Sequence, residues 1–480
     1  MTRVFLVNPP SPEPVKTPLL SFCHLAASLR AAGHEVALVD GSAPFGPKDP
    51  EEIAALIAAF APDLVGLHLK TLHVQPAYAL AEQLAPRWPL VAGGPHATVC
   101  PDEPFAFGFS FAVRGEGEET LVALADALHE RDGRGALDDI AGLSRRVRPG
   151  ASGPLGVKHN PDRGFIRDLD ALAAPMGALD LFDPAWYGAS SALPPAGLLS
   201  SRGCPAACTF CSNNVTGRRF RYRSPESIVA ELRHLETHFG LRAFSFFDDS
   251  FAVGHRRMRE LTAALRNLRP PVHWTCTAHP AHLDRETLRD MQAAGCGGVD
   301  IGMESGDPET LLRIGKGVTV ERVLDVLGWC RDLGLHVVVN LMFGWPDETD
   351  DALDATIGFM DRAALHMRGA PLGFNARGVL VPYPGTELYE QHHQRFGFTG
   401  WWLREEPLAY QPFPNAWSPR EIMRCYADDP ALERNFFRHP RGRLDRIRAA
   451  LARKAELTLG AVVRADAAQT PIAVPAAGSR

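Results

Sequence analysis

Short runs of β-branched and aromatic residues alternate with amphipathic stretches along this 480-residue chain, and the alternation occurs twice. In the first stretch, apolar runs at 4–7, 35–39, 64–67, 90–92 and 111–113 predict strands. Helical periodicity at 19–32, 51–60, 76–84 and 118–129 separates them. Strands alternating with helices in this way predict a doubly wound, Rossmann-like parallel sheet. Ligands of such sheets sit beyond the carboxyl ends of the strands. The segments expected there contain Asn8, Pro9 and Pro10; Leu69 and Thr71; Gly93, Gly94, Pro95 and His96; and Gly115, Glu116 and Gly117. None of these loops carries the GxGxxG fingerprint of a dinucleotide fold. Gly93-Gly94 permits either close approach of a bulky ligand or a plain tight turn.

The second alternation has a longer period. Strands are expected at 197–200, 243–247, 272–277, 298–303, 336–343 and 374–380, with helices at 227–237, 256–265, 286–294, 320–333 and 351–363. Six such βα units suit an open, partial (β/α)6 barrel rather than a closed eight-fold one. Residues 133–195, rich in Pro, Gly and Arg, read as a linker with a small hairpin. A helical C-terminal region is expected over 399–464, its aromatics packing across the barrel mouth, with 441–454 an amphipathic surface helix. From 465 the Ala, Pro and Gly content predicts a disordered tail. The expected division is therefore an α/β chain with domains at 1–132 and 196–398, the 133–195 linker between them, and the 399–464 and 465–480 segments after.

Composition changes this picture little. A hydrophobic fraction of 45% with 22% charged residues is that of a globular protein, and no apolar run approaches the roughly 20 residues a bilayer needs. The N-terminus reads as a strand and turn, without a secretory segment. A net charge of −6 gives no general affinity for nucleic acid. Nine cysteines without an export signal predict reduced thiols and a cytoplasmic protein.

Chemistry concentrates at Cys204, Cys208 and Cys211. Three thiolates in so short a run can each hold one iron of a four-iron cluster, leaving the fourth iron open. The same spacing also lines one face of a helix, where cysteines are ordinary core residues. Gly203 and Pro205 bracket the first cysteine and discourage that helix. The other six cysteines form no second close set. At later strand ends, Asp248 can accept from a ligand or cap a helix, and Glu304 followed by Ser305 can accept from a ribose. The basic run Arg218, Arg219, Arg221 and Arg223 can bind RNA, offset an anionic cluster or form a solvated edge. With a negative chain overall, the role local to the cysteines is favoured. Tyr383 and Tyr389 are the nearest candidates for a general base, and nothing in the sequence selects either.

The CxxxCxxC spacing with Phe210 before the last cysteine resembles the signature of the radical S-adenosylmethionine (SAM) superfamily. The resemblance implies a [4Fe-4S] cluster whose open iron chelates SAM and cleaves it to a 5′-deoxyadenosyl radical. Gly302-Met-Glu304-Ser305 resembles that superfamily's Gly-x-Glu-Ser pattern, and Gly344-Trp-Pro346-Asp-Glu-Thr its adenine motif, with Asp347 where glycine is usual. The resemblance thus implies SAM contacts at Phe210, Asp248, Glu304, Ser305, Gly344 and Pro346. Pro382-Tyr-Pro-Gly-Thr386 resembles a motif of the cobalamin-linked subgroup, though it reads equally as a turn before a helix. Residues 4–118, with Asn-Pro-Pro, Gly-Gly-Pro-His and Arg-Gly-Glu-Gly-Glu, resemble the N-terminal domain of cobalamin-binding radical SAM proteins. That implies cobalamin at the strand-end loops named above. The Asp-x-His-x-x-Gly motif of many cobalamin domains is absent; His34 and His68 stand in the wrong context for a cobalt ligand. The resemblance covers residues 1–400 and implies methylation of an unactivated carbon of a small molecule, with flavodoxin or ferredoxin as reductant. Cyclisation, ring rearrangement or oxygen insertion is the alternative. RNA methylthiolation and a non-catalytic cobalamin sensor rank lower, and neither a membrane nor a nucleic-acid partner is expected.

Overall fold

The computed structural model describes residues 1–15, 17–129, 136–147, 156–188, 197–375, 378–404, 406, 408 and 429–468. The chain divides into two compact units, Met1–Ser250 with Pro382–Pro412, and Phe251–Val381 with Phe413–Arg480.

The first unit is built on a sheet of order β2-β1-β3-β4-β5-β6-β7. Strands β1 (Arg3–Asn8), β2 (Glu35–Asp40), β3 (Leu64–His68), β4 (Leu90–Gly93) and β5 (Phe111–Val113) are parallel. Their inner residues, such as Val4, Val7, Val65 and Ala112, are wholly buried, as expected when helices cover both faces of a parallel sheet. The helices are α1 (Leu20–Ala31), α2 (Pro50–Phe60), α3 (Val74–Leu84), α4 (Pro95–Val99) and α5 (Glu118–His129). Sequence periodicity placed all but the short α4, whose Pro95 start looked like part of a turn.

The stretch read as a linker is not plain connection. Strands β6 (Leu143–Val147) and β7 (Gly156–His159) form the expected hairpin, and β6 pairs antiparallel with β5, so the hairpin extends the sheet. A 3-10 turn, Pro175–Leu181, packs on α1, and Arg30 reaches its Asp180 at 2.7 Å. Strand β8 (Gly197–Leu198) is shorter than expected. Ser201–Arg202 forms a separate strand, β9, antiparallel to β10 (Arg221–Tyr222). Helix α6 (Pro225–Phe239) starts where Ser224 accepts from the Ser227 amide and stops at Gly240, φ +66°. It leads to β11 (Ala243–Phe246), which pairs in parallel with β8.

The second unit continues the βα repeat. Strands β12 (His273–Ala278), β13 (Cys296–Glu304), β14 (His336–Leu341) and β15 (Leu372–Phe374) pair in parallel, in sequence order. The sixth expected strand is cut short: beyond Phe374 only an isolated bridge from Phe343 to Val379 remains among the described residues. Helices α7 (His255–Arg266), α8 (Arg285–Ala293), α9 (Pro308–Arg313), α10 (Val320–Asp332) and α11 (Asp350–His366) intervene. The side chains of Asp284, Asp307, Thr319 and Thr349 cap the last four.

The C-terminal helix Arg441–Ala468 belongs to this unit and is amphipathic over 441–454 as expected, with Asp445, Ala449 and Arg453 exposed on its outer face. It buries Ile447, Ala450, Leu451 and Ala455 as it packs on β15 and α11. Arg446 and Arg453 reach the α11 acids Asp354 and Asp361. The helix runs past 465, where a disordered tail was expected, to Ala468; residues 469–480 lie outside the described set. Residues 409–428, including Tyr410, Trp417 and Tyr426 of the expected barrel-mouth segment, also lie outside it. The chain serves the first unit again through α12 (Glu387–Phe396) and α13 (Trp401–Arg404), where Trp401 and Trp402 are buried and α13 packs on α3.

Candidate active site

The cysteines stand in a loop without helix, which removes the core-helix alternative. Gly203 has φ +84°, and a Cβ there would lie 2.3 Å from the Arg219 carbonyl oxygen, so only glycine fits. Its amide donates to Asp249 Oδ2 at 2.8 Å, and the Cys204 amide donates to the Gly217 carbonyl at 3.1 Å. Thr216 Oγ1 lies 2.7 Å from the same Asp249 oxygen, and Asn213 Nδ2 donates to Gly217 O at 2.6 Å. The β9–β10 pair closes the base of the loop. Cys204 and Cys208 are half-buried and Cys211 is exposed. From 203 to 212 the chain carries no imidazole or carboxylate beside the three thiols. That donor set is soft and incomplete, which fits iron–sulfur ligation better than a closed zinc site.

Arg202, immediately before this loop, enters a buried ion cluster. It donates to Glu116 Oε1 at 3.1 Å and to Glu118 Oε1 at 2.5 Å. Arg221 donates to Glu116 Oε2 at 2.7 Å, and Arg223 pairs with Glu231. Two of the four arginines of the basic run are thus spent inside the protein, and Arg218 and Arg219 are exposed. The internal pairing accounts for Arg221 and Arg223 without RNA or cluster charge.

Arg202, Glu116 and Glu118 also line a cavity of about 380 Å³ at the carboxyl ends of β3 and β4. Its lining includes Leu6, Gly66, Val91, Leu121 and one side of α1 from Leu19 to Leu25. Of the residues singled out from sequence, Gly93, Gly94, Pro95, Gly115, Glu116 and Gly117 line it. Cβ atoms at Gly93 or Gly115 would meet nothing within 4 Å, so glycine there leaves free approach. Asn8, Pro9, Pro10, Leu69, Thr71 and His96 are not on the lining. Asn8 is held by Asp40 at 2.7 Å, and the Pro9 carbonyl accepts from Ser42 Oγ at 2.8 Å. His96 is fully buried, its two ring nitrogens 2.9 Å from Thr71 Oγ1 and 2.7 Å from Glu103 Oε1. Glu103 also receives Trp402 Nε1 at 2.9 Å. These residues hold the loops rather than offering free groups. Glu116 lines the cavity with both carboxylate oxygens already engaged by other partners.

Sequence reasoning missed His24, Leu25 and Leu121, which line the cavity from α1 and α5. Helical periodicity marks such residues only as core. His68, set aside from sequence as a cobalt ligand, does line the cavity, and its Nδ1 is buried without a hydrogen-bond partner. Burial pushes the His68 imidazole down to about 3, so it is neutral.

Asp248 is fully committed: its carboxylate accepts from the Ser200 amide at 2.7 Å and from the Ser200 and Ser201 hydroxyls. It ties strand ends together, while its neighbour Asp249 pins the cysteine loop. In the second unit, Glu304 ends β13 at a register shift with φ +69°, a left-handed conformation that costs a non-glycine residue about 1 kcal/mol or more. Lys316 Nζ donates to Glu304 Oε1 at 2.9 Å, but Oε2 is buried without a hydrogen-bond partner. A ribose hydroxyl donor would satisfy that orphan oxygen.

Ser305, expected to contact SAM, and Gly306 after it pack closely against α11. Ser305 Oγ lies 3.2 Å from Thr356 Oγ1, and a Cβ on Gly306 would meet the Ala355 carbonyl oxygen at 2.5 Å. Gly344 has φ +78° and donates to Glu348 Oε2 at 2.9 Å; Trp345 and Pro346 are buried behind it. Asp347 takes φ +58°, the conformation glycine would adopt without strain and aspartate tolerates. Burial raises the Glu348 carboxyl to about 7. In the first unit, Gly385 of the Pro-Gly turn faces Val99 and Asn214, Thr386 caps α12, and Tyr389 OH accepts from the Gly400 amide. The turn is therefore structural, and Tyr389 is held in place.

The Radical SAM superfamily profile matches residues 198–360, and a B12 binding domain profile matches 15–125. An uncharacterised methyltransferase of Pyrococcus horikoshii is 31% identical over 400 residues, covering 81% of this chain and 82% of its own. An anaerobic magnesium-protoporphyrin IX monomethyl ester cyclase of Synechocystis is 28% identical, covering 66% of this chain and 63% of its own. Among solved structures, the radical SAM methyltransferase TsrM of Kitasatospora setae superposes with TM-score 0.65 at 21% identity, covering 89% of this chain and 85% of its own. The cobalamin-dependent radical SAM enzyme OxsB superposes with TM-score 0.67 at 18% identity; the match spans 83% of this chain and 61% of OxsB. With three thiols in a fixed loop, a glycine-floored cavity over the strand ends and these matches, the chain belongs to the radical SAM superfamily, among the members that join that domain to a B12-binding domain.

Proposed function

We propose that the protein is a cobalamin-dependent radical SAM methyltransferase acting on an unactivated carbon of a small molecule. One observation carries the reading: Arg202 lines the apolar cavity and, two residues on, the chain enters the three-cysteine loop. Glu116 and Glu118 hold that arginine, so the lining of one cofactor site and the base of the other are a single buried ion cluster. Cys204, Cys208 and Cys211 would hold a [4Fe-4S] cluster, Glu304 Oε2 and the Gly344 turn would hold SAM, and the cavity would hold part of cobalamin. When bound, these groups supply the radical and the methyl group; the protein supplies position and exclusion of water.

The chain's own contribution is rigidity. Asp249 and Gly217 fix the loop that presents the thiols, and Lys316 turns Glu304 so that one oxygen remains for a ligand. The similarity to the P. horikoshii methyltransferase and to TsrM supports methyl transfer. The similarity to a Synechocystis cyclase supports a second reading, ring closure without methyl transfer. Anaerobic turnover with a strong reductant and methyl-labelled SAM separates the two. Release of 5′-deoxyadenosine together with S-adenosylhomocysteine and labelled product supports methylation. Release of 5′-deoxyadenosine alone, with unlabelled product, supports cyclisation. A flavodoxin or ferredoxin as electron donor and a cytoplasmic location complete the proposal. No helix among the described residues is long and apolar enough to cross a membrane.

A further inference from the structure

The cavity in the first unit is apolar over most of its lining but carries two imidazoles, His24 and His68. His24 is 5% exposed, and its Nε2 is buried without a hydrogen-bond partner. Its tautomer follows from its other nitrogen. Arg202 Nη2 lies 3.4 Å from His24 Nδ1, and a guanidinium has only donors to offer. Nδ1 therefore accepts, and the ring proton sits on Nε2. Burial, with Arg202 and Arg223 nearby, keeps the ring neutral by holding His24 well below its usual value. The result is one N–H donor of fixed identity, unmet by the protein, at an apolar cavity. An unmet buried donor costs free energy until a ligand supplies an acceptor.

Cobalamin's nucleotide tail ends in a benzimidazole, a flat apolar bicycle with one ring nitrogen in the glycosidic bond and the other bearing a lone pair. Were that base seated between Gly66, Val91 and Leu121 instead of on cobalt, its second nitrogen would be a free acceptor in apolar surroundings. We infer that His24 Nε2–H is the donor that recognises the free ring nitrogen of the cobalamin lower base. The inference rests on the reading of this cavity as a cobalamin site. His68 is the weaker candidate. Its orphaned Nδ1 has no partner in the protein, so nothing fixes which ring nitrogen carries the proton.

The test compares hydroxocobalamin with cobinamide, which keeps the corrin and lacks the base, on the cluster-reconstituted full chain. Equilibrium binding, the bound spectrum and the iron count are the readouts. The wild type binds cobalamin more tightly than cobinamide, in a base-off spectrum. His24→Leu raises the cobalamin dissociation constant about tenfold and leaves cobinamide binding and iron unchanged. His24→Gln, which keeps an N–H, recovers most of the difference. Should the leucine variant lose iron and cobinamide binding as well, the glutamine variant decides: a wild-type preference for cobalamin supports the assignment, and a lost preference overturns it. Equal affinity of the wild type for the two corrinoids, or a loss that follows His68→Leu and not His24→Leu, overturns the inference alone. Failure of the wild type to bind either corrinoid overturns the cobalamin reading with it.

Discussion

The cysteine loop and the glycine-floored cavity, both in the first unit, present opposite chemistry by opposite means. The loop presents three soft thiol donors, two half-buried and one exposed, and is stiffened from outside by backbone bonds to Asp249 and Gly217. The cavity offers apolar volume and is shaped by what is missing, the side chains absent at Gly66, Gly93, Gly94 and Gly115. A site made of donors fails when one donor is removed; a site made of space fails when something is added. Arg202 and Glu116 stand where the two meet, so damage there should reach both.

The largest expected effect follows from removing a donor. Cys208→Ala should lower iron content and cut 5′-deoxyadenosine formation by about 10³-fold or more, while cobalamin binding, read by equilibrium dialysis, stays at the wild-type value. Next is the shared cluster. Glu116→Ala leaves Arg202 and Arg221 short of a buried counter-charge and should cost about 3–5 kcal/mol in denaturant unfolding, lowering iron and corrinoid loading together. Loss of only one of the two would show that the sites are built independently.

Adding to the cavity wall comes third. Gly94 has φ +99°, and a Cβ there would sit 2.4 Å from His68 Cδ2. Gly94→Ala should weaken cobalamin binding about tenfold or more by forcing His68 to move, with iron content intact. The smallest effect lies in the second unit. Glu348 has its carboxyl raised to about 7 in the folded chain, so the folded state holds a proton that the unfolded chain releases near 4.5. Its contribution to stability is full below about 4.5 and is lost as pH rises through about 7. Glu348→Gln, which keeps an acceptor for the Gly344 amide, should flatten that part of the pH–stability profile measured by thermal unfolding.

The same contrast explains what was legible in the sequence. The cysteines fall within eight residues, so their spacing alone pointed to iron–sulfur ligation, and Gly203 and Pro205 already argued against a helix. Glu304 was legible as a strand end, though not its left-handed backbone or its bond to Lys316, which comes from twelve residues downstream. The strand-end glycines of the cavity were legible because a doubly wound sheet has only one place for them. His24 was not, since a histidine on the buried face of α1 looks like core until β3, β4 and α5 are seen around it. Asp248 and His96 misled for a related reason: a polar residue at a strand end is often a strut, and only its hydrogen-bond partners tell. The hairpin β6–β7 shows the same limit, for its pairing with β5 joins residues that composition assigned to a connector.

The most direct test of the account is the iron and cobalt content of anaerobically purified, reconstituted protein, measured with its reductive cleavage of SAM. The account predicts four irons and one corrinoid per chain, with SAM cleavage abolished in each single cysteine variant. Fewer than four irons after reconstitution, or cleavage that survives loss of Cys204, Cys208 or Cys211, would contradict it.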